Sequence, residues 1–125
     1  MPKKSVLILD QDPIRQETLQ GQLKNQGYWF LSAVTIEGAL ILFGINPNLD
    51  AIIIDSCVAG NPLRTVLFAK RMRRLFGGLI IAISDDLKIR RLFTRVGCDY
   101  VIKESEVPEK LKEVLLIEST QTQSP

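Results

Sequence analysis

Four apolar runs in this sequence end on residues that could share one piece of chemistry: "VLILD" on Asp10, "AIIID" on Asp55, "LIIAIS" on Ser84 and "DYVIK" on Lys103. Two carboxylates, a hydroxyl and an amine are the groups that hold a hard divalent cation and a phosphoryl group together. Oxygen ligands bind Mg²⁺, the cation screens carboxylate repulsion, and hydroxyl and ammonium groups take phosphate oxygens. An Asp at a strand end is by itself often only a helix cap, so the information lies in the joint pattern. Next to Asp10 stand Gln11 and Asp12, which places an amide where a cation would be better served by a carboxylate. The chain has no histidine, which excludes Ser/His and Cys/His nucleophilic pairs.

For these four residues to meet, the runs that carry them must be neighbouring parallel strands with their carboxyl ends on one side, where open α/β sheets bind their ligands. The periodicity supplies such strands over 5–10, 28–33, 50–55, 79–84 and 99–103, with helical spacing between them. Asp12 with Pro13 starts the first helix, which stops at Gly27, and Thr35 caps the second, which ends near Gly44. Asn61 with Pro62 starts the third, which stops at Gly77 and Gly78, and Asp85 or Asp86 caps the fourth, which stops at Gly97. A final helix holds Ser105, Val107, Leu111, Val114 and Leu115. Strict strand–helix alternation of this kind is the pattern of a parallel sheet with crossover helices.

With 125 residues, 46% of them hydrophobic, the chain can bury one core. We expect a single domain over 1–118 and a polar, disordered tail over 119–125. The apolar runs are strand-length, far short of the ~20 residues that span a bilayer, and the N-terminal run is too short for a signal peptide. A cytoplasmic location is the expectation. Cys57 and Cys98 lack a CxxC spacing and read as buried or half-buried free thiols. Basic residues concentrate between Arg64 and Arg95. Two solvated helix faces explain this most simply; a docking surface for an acidic protein is the sharper alternative, and without interleaved aromatics nucleic acid is not expected.

Phrases such as "LILDQDP", "NLDAIIID", "LIIAIS" and "GCDYVIK", in this element order from about Lys4 to Leu116, resemble the receiver domains of two-component response regulators, the CheY-like superfamily. The resemblance implies a doubly wound (βα)5 three-layer sandwich, with a flavodoxin-like parallel five-stranded sheet in order 2-1-3-4-5. It also implies a signalling domain rather than an enzyme, one whose only chemistry is self-phosphorylation and self-dephosphorylation. Asp55 would accept a phosphoryl group from a histidine kinase or histidine phosphotransfer protein. Ser84 and Lys103 would bind that group, and Ser84 with Tyr100 would form the switch. Mg²⁺ would be held weakly by Asp10, Gln11, Asp55 and the backbone carbonyl of Cys57. The signal would pass to a downstream protein target or output domain, with monomer and homodimer both open.

The departures from the receiver pattern are equally specific. Gln11 stands where receivers place the carboxylate that ligates the metal, which weakens the site. Glu104 replaces the proline that follows the lysine, so a trans Lys103–Glu104 bond is expected, a cis one costing ~2.5–4 kcal/mol. Asp85 adds a charge at the rim. These favour an alternative reading, a degenerate pseudo-receiver that binds proteins without phosphorylation. A remote alternative takes "DQD" as the D-x-D motif of haloacid-dehalogenase-like phosphatases, with Asp10 as nucleophile and Asp12 as acid/base.

Overall fold

β1 (Ser5–Leu9), β2 (Trp29–Ala33), β3 (Ala51–Asp55), β4 (Leu79–Ile83) and β5 (Tyr100–Ile102) form one sheet in the order β2-β1-β3-β4-β5, every adjacent pair parallel. The computed structural model describes residues 4–58 and 60–123, with side chains described for all of these but 13 and 116–123. The helices are α1 (Pro13–Asn25), α2 (Ile36–Ile45), α3 (Pro62–Leu75), α4 (Leu87–Arg95) and α5 (Val107–Gln123). This is the expected order and topology. α5 continues into the segment expected to be a polar tail, whose last two residues lie outside the described residues.

The sheet is covered on both faces, which is why its strands read as continuous apolar runs rather than alternating ones. Successive side chains still point to opposite faces. Val6 and Ile8 join Ile53 and Ile81 under Leu19 and Leu23 of α1 and Leu111 of α5. Leu7 and Leu9 join Ile52, Ile54 and Ile80 under Ala39 of α2, Val66 and Met72 of α3 and Phe93 of α4. β3 lies at the centre with all five residues buried. Its last residue is Asp55, so a carboxylate is delivered by the most enclosed strand of the molecule.

Side-chain caps fix where the helices begin. Asp12 accepts from the N–H groups of Ile14 and Arg15, Thr35 from Gly38, Asn61 from Leu63, and Asp86 from Lys88 and Ile89. Each such cap contributes about 1 kcal/mol. Asp86, rather than Asp85, caps α4. Ser105 does not start the last helix. It lies in a single 3₁₀ turn (Glu104–Glu106) that precedes α5, where the Lys103 N–H donates to Glu106 Oε1 at 2.9 Å. The Lys103–Glu104 bond is trans. Gly97 ends α4 at φ +110°, and a Cβ there would come within 2.7 Å of the Arg73 stem, so only glycine fits.

Candidate functional site

At the carboxyl end of the sheet, Asp10 follows β1 and Asp55 ends β3, and both are almost fully enclosed, at 1% and 2% exposure. Asp10 is held in place from two directions. Its Oδ1 accepts the Asp12 N–H at 2.9 Å, and its backbone carbonyl accepts from the buried amide of Gln16, which also donates to Ala33 of β2. The other carboxylate oxygen, Oδ2, is buried with no hydrogen-bond partner in the protein. An unsatisfied buried carboxylate oxygen is costly.

Beside Asp55 stands Arg15, from the first turn of α1. Its Nη2 lies 3.5 Å from Asp55 Oδ1, and its Nε donates to Glu104 Oε2 at 3.0 Å. The guanidinium thus bridges the acceptor strand and the turn before α5. Burial pushes the Asp55 carboxyl up to about 6, Asp10 repels its negative form further, and Glu104 adds to the rise; Arg15 and the Cys57 N–H pull the other way. Burial works against the charge on Arg15, but Asp55 and Glu104 outweigh it and hold the guanidinium more firmly protonated than usual.

Ser84 lines the same hollow of about 310 Å³ as Asp55, Arg15, Ser56, Cys57 and Asp85. Its Oγ accepts the Asp86 N–H at 3.2 Å, and its own N–H donates to Ile102 of β5. Asp85 is exposed at the rim, as its position in the sequence suggested. Lys103 is exposed and makes no ion pair with Asp55 among the described residues. Tyr100 is half-buried, with the Lys110 ammonium 4.6 Å above its ring.

Gln11 is exposed and lines a different hollow, with Thr35, Ile36, Glu37, Val58, Gly60 and Arg64. The Cys57 carbonyl accepts the Gly60 N–H at 3.0 Å. Of the four donors expected around a magnesium ion, Asp10 Oδ2 alone is both buried and without a partner. No cluster of three or more His, Cys, Asp or Glu side chains suited to a metal occurs among the described residues. As the side chains stand, this donor set does not fit a divalent ion: one of its two carboxylates is paired with a guanidinium.

Arg15, Gln16 and the role of Glu104 escaped the sequence reading. One signal was there. A cation in the first turn of a helix opposes the helix macrodipole and calls for a nearby anion. Two further expectations need correction. Cys57 is exposed rather than buried, because it sits on the open side of the turn after β3. In the basic third of the chain, Arg73 and Arg90 are bound to backbone carbonyls, Arg90 to Val101 at 2.7 Å, and are not free on solvated faces. Asp12, the acid/base of the D-x-D reading, is committed to capping α1. No helix of the described residues is long and apolar enough to cross a membrane.

No family model matches the sequence, and no curated protein matches it. Its fold does match solved structures. A CheY-like response regulator receiver domain protein from Methanospirillum hungatei JF-1 aligns at TM-score 0.80 and 20% identity, over 96% of this chain and 99% of that one. A two-component response regulator from Clostridium difficile aligns at 0.81 and 18%, over 91% and 97%. A response regulator from Burkholderia pseudomallei, whose structure contains a phosphorylated aspartic acid, a calcium ion and citrate, aligns at 0.76 and 18%, over 98% and 76%. The five parallel strands in the order β2-β1-β3-β4-β5, with helices on both faces, are the fold of the CheY-like response regulator receiver domains.

Proposed function

We propose that this chain is a receiver that accepts a phosphoryl group on Asp55 and signals through protein contacts. The observation that carries the reading is Asp55 itself. A buried carboxylate ends the central strand, opens onto a hollow lined by a hydroxyl, and faces a guanidinium at 3.5 Å. In the transfer, Asp55 Oδ forms a bond to phosphorus while the donor's P–N bond to imidazole, or P–O bond to acetate, breaks and the leaving group takes the electron pair. Arg15 balances the charge of the incoming group, and Ser84 offers its hydroxyl to a phosphoryl oxygen. The donor would be a histidine kinase or phosphotransfer protein, and the domain would turn over no other substrate. No step here depends on magnesium, which the Asp10 and Asp55 carboxylates, with Arg15 on Asp55, do not fit as they stand.

Incubation with acetyl phosphate followed by intact mass measurement tests this. A phosphoryl adduct, absent from Asp55→Asn, is expected; no adduct with or without Mg²⁺ would overturn it. A second reading, a phosphorylation-independent binding module, draws on the Arg15–Asp55–Glu104 bridge and on Lys103 standing apart from Asp55. It predicts partner binding that Asp55→Asn leaves unchanged.

A further inference from the structure

The charge arrangement around Asp55 is built for one cation, and the chain supplies it. Asp10, Asp55 and Glu104 all favour the charge on Arg15, which is ion-paired to the last two. The pairing draws on three separate elements, α1, β3 and the turn after β5, so it is not an accident of one helix face. Glu104 presents Oε2 to Arg15 Nε at 3.0 Å, and its other oxygen is buried without a partner. One oxygen of that half-buried carboxylate is thus enclosed while the other holds the guanidinium. The Asp12 cap fixes the first turn of α1, and with it the backbone of Arg15, whose N–H donates to Asp12 Oδ1. Arg15 thus has its start fixed by one acid and its end fixed by another.

We propose that Arg15 is the resident cation of this site: its guanidinium, positioned by Glu104, neutralises Asp55 in place of a divalent metal and competes with one for the Asp10–Asp55 pair. A fixed charge spread over a planar fork matches the oxygens of a phosphoryl group. Phosphodonor chemistry at Asp55 then proceeds without added metal. This last consequence rests on the reading of Asp55 as a phosphoacceptor; the competition with metal does not.

Two measurements decide the matter separately. Calorimetric titration with MgCl₂ compares the wild type with Arg15→Ala, Arg15→Lys and the charge control Lys88→Ala, each checked for folding by circular dichroism. Arg15→Ala is expected to tighten Mg²⁺ binding at least tenfold. Arg15→Lys keeps a point charge near Asp55 and stays within about threefold of wild type, as does Lys88→Ala. Equal affinity in wild type and Arg15→Ala, no binding to Arg15→Ala, or the same gain in Lys88→Ala would overturn the competition. The second measurement is adduct formation from acetyl phosphate in EDTA and in Mg²⁺. The wild type is expected to react within about threefold in the two buffers, and Arg15→Ala to lose at least tenfold in EDTA and regain it with Mg²⁺. A wild-type adduct abolished by EDTA would overturn the metal independence. If no variant forms an adduct in either buffer, the phosphoacceptor reading fails, while the titration still decides the competition.

Discussion

The guanidinium of Arg73, in the last turn of α3, donates to the carbonyl of Gly97 at 3.2 Å and to the carboxylate of Asp99 at 3.1 Å, joining the end of one helix to the approach to β5. Its other nitrogen, Nη2, donates to the carbonyls of Phe76 and Gly78 at 2.6 and 2.7 Å, on the way into β4. Asp99 in turn accepts the Ile80 N–H at 2.8 Å. One side chain therefore satisfies three backbone carbonyls around helix ends and strand starts that would otherwise lack partners.

Arg73→Met keeps the stem and removes the fork, leaving those carbonyls without a donor. Hydrogen bonds to a charged group contribute about 1.5–3 kcal/mol each but are not additive, so a loss of about 2–4 kcal/mol in urea unfolding is expected. Arg71→Ala and Arg74→Ala, at exposed positions on the same helix, should stay within about 0.5 kcal/mol. Equal effects at all three positions would show that Arg73 is an ordinary surface charge.

Asp55 makes the protein less stable as pH rises. Its native carboxyl titrates at about 6, above the usual carboxylate range, because burial and Asp10 disfavour the charge. Between roughly pH 4 and pH 6 the native state keeps a proton that the unfolded state has released, so stability falls through that window, by about 1–3 kcal/mol in all. In EDTA, Asp55→Asn should be more stable than wild type by that amount at pH 7.5 and nearly equal to it at pH 4. Asp10→Asn should move the Asp55 titration to lower pH in NMR. A wild type that outlasts Asp55→Asn at pH 7.5 would contradict the balance of charges described for the site.

The two thiols should behave as different species. Cys57 is exposed beside Asp55, whereas Cys98 is buried, its thiol pushed up to about 12 by burial, with Asp99 adding and Arg73 opposing. Because the thiolate is the reactive form, Ellman's reagent at pH 8 should titrate one thiol quickly and the second only on unfolding. Cys57→Ser should abolish the fast phase. Two equally fast thiols would mean that the α4–β5 corner opens readily.

Local chemistry made most of the fold legible. Asp12-Pro13 and Asn61-Pro62 join a side-chain acceptor to a residue that needs no N–H donor there, and both start helices where expected. The apolar pattern overruns every strand by one or two residues, and at the carboxyl ends of β1 and β4 the reason is physical. Asp10 and Ser84 still donate across the sheet, to Ala33 and Ile102, yet lie past the last paired position of their strands. Asp10, Asp55 and Ser84 were visible in the sequence because parallel topology alone carries strand ends to one side. Arg15 and Glu104 were not, since their bond joins residues 89 apart that only the packing of α1 beside α5 brings together. Lys103 and Gln11 show the complementary limit. Their positions place them at the site, but side-chain direction after the strand ends is set by local turns, which the sequence pattern does not encode.

Gln16 is the last residue whose role can be isolated by substitution. It is buried at 7% exposure, and its amide nitrogen donates to the Asp10 and Ala33 carbonyls, both at 2.9 Å. It thus ties the turn after β1 to the end of β2. Gln16→Glu is nearly isosteric but replaces a two-proton donor with a carboxylate facing two carbonyl oxygens and the acid at Asp10. Loss of both bonds and burial of a third charge should cost about 2–4 kcal/mol near neutral pH, with much of that recovered below pH 5 as the new acid protonates and can donate once. Gln16→Met, which removes the donor without adding charge, should lose about 1–3 kcal/mol with no pH dependence of its own. Matching losses for the two variants at every pH would show that the amide fills space without holding Asp10 in place.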